Sequence, residues 1–152
     1  MRATTAPRSW RSVDTVSELN KRKVRLFVEA VWNEGRLDLI EELVADDYVG
    51  RMPCVEGRVF GPQAVRRLVS SSRRAHPDLH VKIEDQIAEE DRVVTRWHAT
   101  TRAATAGRTR CYAGISIIRL LAGKQVDSHT ECMTLALDAD FEPATTTEPS
   151  AH

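Results

Sequence analysis

Residues 79–101, LHVKIEDQIAEEDRVVTRWHATT, decide the fold, because their apolar rhythm has a period of two. Leu79, Val81 and Ile83 alternate with His80, Lys82 and Glu84. After an acidic turn at Glu89-Glu90-Asp91, the residues Val93, Thr95, Trp97 and Ala99 alternate with Val94, Arg96, His98 and Thr100. Alternation of this kind marks strands that press one face on a core. Two further extended segments follow, about 108–121 and 125–137, linked through Ala122-Gly123-Lys124. Residues 79–137 therefore read as four strands of an antiparallel meander.

Upstream of residue 79 the rhythm is helical. Val24, Phe27, Val28 and Val31 keep the i, i+3, i+4, i+7 spacing of one buried face, which predicts a helix over about 17–33, begun near Thr15 or Ser17 and ended by Asn33-Glu34-Gly35. Leu37, Ile40, Leu43 and Val44 predict a shorter helix over 37–45, with an extended piece from Tyr48 to Pro53 after it. Gly61-Pro62 opens a third helix over 62–74, since proline at the first helical position loses only an amide that has no partner there. Helices first and a meander afterwards make an α+β domain, with the helices on one face of the sheet. The domain is expected over 16–138. The segments 1–15 and 139–152, rich in Ala, Thr, Ser and Pro, are expected to be poorly ordered tails, with Trp10 either folded back on the body or exposed.

Composition narrows the function classes. The 152 residues suit one domain that buries a core without staples. Lys+Arg and Asp+Glu both total 22, so no global charge draws the chain to nucleic acid or an anionic membrane. No apolar run approaches the roughly 20 residues of a membrane helix, and MRATTAPRSWRS lacks the apolar centre of a signal peptide. Cys54, Cys111 and Cys132 form no CxxC and cannot all pair, which fits a reducing compartment. A soluble cytoplasmic protein is expected.

Among the chemistry-bearing residues, His129, Glu131 and Met133 share one parity on the last strand, which places an imidazole beside a carboxylate. The pair is a candidate base with an orienting or proton-returning partner; the competing reading is two solvated side chains on an outer or dimer face. Arg96 and His98 are candidates for holding an oxyanion or carboxylate, or for a structural ion pair with Glu131. Trp32 extends the apolar stripe of the first helix and is a core residue that could also form the floor for an aromatic ligand. Tyr112 reads as a rim or interface residue. Ser116 lacks any GxSxG elbow. Five histidines raise the question of metal, but His76 and His80 lie either side of Pro77, His152 is in the tail and no HExxH occurs, so no metal is expected. Arg66, Arg67, Arg73 and Arg74 read as a solvated helix face.

The order of elements and four stretches of sequence resemble the SnoaL-like polyketide cyclases of the nuclear-transport-factor-like superfamily. These are VWNEGRLDLIEELVADDYV (31–49), GPQAVRRLV (61–69), HPDLHVKIEDQIAEEDRVVTRWHATT (76–101) and GISIIRLLAGKQV (114–126). The resemblance implies a cone in which a curved sheet wraps a long helix and leaves a pocket at one end. It also implies cofactor-independent chemistry on polyketide-like or terpenoid small molecules, and it turns the parity of His129 and Glu131 inward. A homodimer through the outer face of the sheet goes with this reading. Carboxylates or imidazoles in a poorly hydrated cavity are the shared device of such enzymes. Three positions depart from the pattern. Met133 stands where related cyclases carry a catalytic Asp; Arg96-Trp97-His98 replaces the Arg-x-Asp of related epoxide hydrolases; and Arg51, beside Met52-Pro53, replaces their water-binding Asn. The expected activity is acid/base cyclisation or rearrangement, with His129 or Glu131 as base, Arg96 on the enolate oxygen, and Arg51, Trp32 and Met133 against the substrate. Epoxide opening, dehydration and non-catalytic binding of a hydrophobic metabolite are the alternatives.

Overall fold

Thr15 begins the first helix as its N-cap, accepting a hydrogen bond from the Glu18 backbone N–H through its hydroxyl. The computed structural model describes residues 14–53, 55–102 and 109–135. Most of both expected tails, with Trp10 and His152, falls outside these residues, as do Cys54 and Leu137. Helix α1 runs over Val16–Leu26. The helix predicted as one piece then widens into a π-helical turn, Phe27–Asn33. Its terminal carbonyls find partners outside the helix: Arg73 Nη1–H donates to both Trp32 O and Asn33 O at 2.8 Å.

A 3₁₀ turn, Leu37–Leu39, leads into α2, Ile40–Leu43. Strand β1 covers Val44–Arg51, beginning four residues before the predicted extended piece. Val44 is buried against the core, as the helical stripe required, but it is held there in an extended backbone. A two-residue strand, β2 (Val59–Phe60), pairs antiparallel with β1 and precedes α3, Gly61–Ala75. The meander follows as β3 (His80–Glu89), β4 (Arg92–Arg102), β5 (Thr109–Leu121) and β6 (Lys124–Leu135).

The six strands form one unclosed, curved sheet in the order β2-β1-β6-β5-β4-β3. The meander is antiparallel throughout, as its turns require. The β1–β6 pair is parallel, an exception to the expected antiparallel sheet, because β1 reaches β6 through most of the chain and not through a hairpin. The helices lie on one face. Val24 of α1 packs on Val93, Ile118 and Leu120, while Val31, Ile40, Leu43, Val44, Tyr48, Val65 and Val69 form a second cluster. Edge strand β3 is tied down by Asn33, which donates to Val81 O and accepts from Val81 N–H, both at 2.8 Å. Among the described residues no helix is long and apolar enough to cross a membrane.

Candidate functional site

Which way the His129 side chain points depends on the start of β6. The turn into it uses left-handed backbone at Ala122 and Gly123. Leu120 then pairs with Gln125, but Arg119 pairs with Asp127, so Val126 is an extra residue. A one-residue bulge exchanges the two faces of everything beyond it. Gln125 is buried before the bulge; after it, Ser128 and Thr130 are buried, and Asp127, His129, Glu131 and Met133 stand on the outer face. The inward parity that the resemblance implied is therefore not what this strand adopts.

The predicted pair itself forms. His129 Nε2 lies 2.9 Å from Glu131 Oε1, with side chains 51% and 76% exposed. Residues two apart on a strand share a face, and the glutamate is long enough to span the gap. The parallel register sets Arg51 beside His129. The Arg51 guanidinium reaches Asp127 at 3.6 Å. Together Arg51, Met52, Pro53, Arg58, His129 and Glu131 line an open depression of about 380 Å³. Three of the residues singled out from sequence, Arg51, His129 and Glu131, thus meet in one place.

The others do not join them. Arg96 and His98 share the outer face but stand on β4, with Ile115 and Ala113 of β5 between them and Glu131 and Met133. Two strand spacings are about 10 Å, and no Arg96–Glu131 ion pair forms. His98 Nδ1 instead lies 2.7 Å from Glu84 Oε1. A hydrogen bond from Lys82, aided by the nearby charges of His98 and Arg96, holds the Glu84 carboxyl below the usual glutamate range. Trp32 is half-buried against the core and does not line the depression. Met133 is 64% exposed. A second cavity, about 400 Å³, lies between α1 and β3 and is lined by Lys21, Arg25, Glu29, His80, Lys82 and Asp85 among others. Among the described residues, no three His, Cys, Asp or Glu side chains gather as a metal site would need.

The inner face carries a different set. Tyr48 Oη and Ser128 Oγ are 2.6 Å apart, and burial pushes the Tyr48 phenol up, so it stays neutral. Trp97 Nε1–H donates to Ser116 Oγ at 3.0 Å, and Ser116 Oγ is 2.8 Å from Thr130 Oγ1. The Trp97 ring lies over Gly114. This row offers hydroxyls and an indole rather than carboxylates or imidazoles. From sequence Ser116 passes for a plain strand residue; the signal that singles it out is its register, opposite Thr95 and Thr130 on the face that Val93 and Ala99 bury.

A family model described as SnoaL-like polyketide cyclase matches residues 22–133. Solved structures with the same fold include a provisionally assigned polyketide cyclase from Acidithiobacillus ferrooxidans, 21% identical, with a TM-score of 0.69 over 78% of this chain and 91% of that one. A provisionally assigned SnoaL-like polyketide cyclase from Jannaschia sp. CCS1 is 16% identical, with a TM-score of 0.68 over 82% and 90%. AclR, a provisionally assigned hydroxylase from Streptomyces galilaeus, is 23% identical, with a TM-score of 0.65 over 76% and 79%. At these identities the likeness is one of fold. No curated protein matches the chain.

Proposed function

The chain belongs to the SnoaL-like polyketide cyclase family, and from that premise we propose that it is a cofactor-independent enzyme that cyclises or rearranges a polyketide-like small molecule at the depression between β1 and β6. The observation that carries this is the His129–Glu131 pair, hydrogen-bonded at 2.9 Å, beside Arg51 in a recess of ligand size. With its Nε2–H given to Glu131, the imidazole keeps the Nδ1 lone pair as the base. His129 takes a proton alpha to a carbonyl, and Arg51 stabilises the enolate oxygen. The enolate carbon then attacks a second carbonyl, and the imidazolium returns its proton to the new alkoxide. Arg96, the sequence candidate for the oxyanion, stands two strands away with Glu84, and Arg51 takes its place. Met52 and Pro53 supply the apolar wall.

The test is proton exchange in D₂O, read by ¹H NMR on the acetyl group of 4-acetylbenzoate. The protein should exchange these protons faster than free imidazole at the same concentration. A rate no higher than that of imidazole removes the catalytic reading and leaves a binding module.

The same reading includes a homodimer. Ile87, Ile115, Ile117 and Met133 are exposed together on the outer face, and Ile117 and Ile115 pair in register with His129 and Glu131. A second copy laid there would cover this apolar surface and exclude water from the flank of the pair. Ile117→Glu should convert the dimer to monomer in sedimentation. A wild-type protein that sediments as a monomer at tens of micromolar would count against the second copy.

A further inference from the structure

Each charged group lining the β1–β6 depression except one is already matched. Glu131 accepts from His129, and Asp127 holds Arg51. Arg58 has no acidic partner among the described residues. Its position is not arbitrary: β2 begins at the next residue, with Val59 paired to Gly50, and Arg58 and Arg51, just beyond the last residues paired between β1 and β2, both line the recess. Arg58 thus brings to the recess a guanidinium that no carboxylate among the described residues balances. An anion in the recess balances that charge, and the planar five-donor fork of arginine suits a carboxylate.

We propose that Arg58 anchors a carboxylate of the substrate, so that the enzyme acts on the free acid of a polyketide-like molecule rather than on its neutral ester. This rests on the reading that the depression is the active site, and it adds the substrate class. The anchor sits on the 52–58 side of the recess and the base on β6, so the carboxylate binds at one end while the reacting carbonyl lies against His129 and Arg51. Arg58 does no proton transfer. Its contribution is uniform binding, which lowers KM with little change in kcat.

The experiment compares 4-acetylbenzoate with methyl 4-acetylbenzoate, by calorimetric titration and by the exchange rate of the acetyl protons, in the wild-type protein and in Arg58→Gln, Arg58→Lys and His129→Ala. Wild type should bind the acid at least about tenfold more tightly than the ester. Arg58→Gln should lose about 10- to 100-fold of acid affinity, the range for a hydrogen bond to a charged group, and so abolish the acid-to-ester preference. Arg58→Lys should restore part of it. Equal affinity for acid and ester in wild type, or a preference that survives Arg58→Gln with an unchanged melting temperature, overturns the anchor while leaving the base reading to stand on its own result. Conversely, exchange that is unchanged in His129→Ala overturns the base reading, while the acid preference still reports on Arg58.

Discussion

His129→Ala should lower turnover by about two to four orders of magnitude, the range for a positioned acid-base group, while the melting temperature stays close to that of the wild type. The reason for the second half is exposure. The imidazole is half in water and bonds only Glu131, so its removal opens no cavity in the core. Exchange kinetics on 4-acetylbenzoate and a thermal melt of the same sample decide the matter together. Glu131→Gln refines it: an amide can still accept the His129 N–H but stabilises the imidazolium less, so kcat should fall with KM nearly unchanged. Wild-type turnover in both variants would remove the pair from the chemistry.

Gly114→Val should produce the largest loss of stability, about 2 to 5 kcal/mol, combining overpacking with a broken buried hydrogen bond. A Cβ at this position would lie 2.9 Å from the Glu131 carbonyl oxygen and closer still to the Trp97 ring. The ring cannot yield without surrendering its N–H bond to Ser116, which in turn is bonded to Thr130. Chemical denaturation measures the cost. Trp97→Phe in the same chain should recover part of it, since the smaller ring vacates the space, and the resulting non-additivity would locate the strain between these two residues. A Gly114→Val protein as stable as the wild type would mean that the indole does not lie where it is described.

The meander was legible because its alternation is a local property: Val93, Thr95 and Ala99 are buried, and Arg92 and Arg96 are exposed, as the period of two requires. Helix α3 was legible for a similar reason, through Gly61-Pro62 and the spacing of Val65 and Val69. What escaped the sequence reading depends on distant partners. The parallel pairing of β1 with β6 brings residues 44–51 against 125–129, a contact that no local pattern encodes. Strand β2 is only two residues long and carries no periodicity. The proximity of His129 and Glu131 followed from their spacing alone, whereas the face they occupy did not, because Val126 is an ordinary strand residue by composition and becomes a bulge only through its pairing with β5. Arg58 was invisible as a candidate because only the fold brings it to the same recess as Arg51 and His129.

That bulge also bears on how such a protein changes through insertion and deletion. Loss of the single codon for Val126 would take out the surplus residue and leave a regular strand in which Asp127 still pairs with Arg119 and His129 with Ile117, so that His129, Glu131 and Met133 stay outside and Ser128 and Thr130 inside. The bulge is how β6 holds one residue more than its partner strand needs, at its start and ahead of the charged face. A one-codon change in length at this point can thus be absorbed by the strand without moving His129 and Glu131 from one side of the sheet to the other.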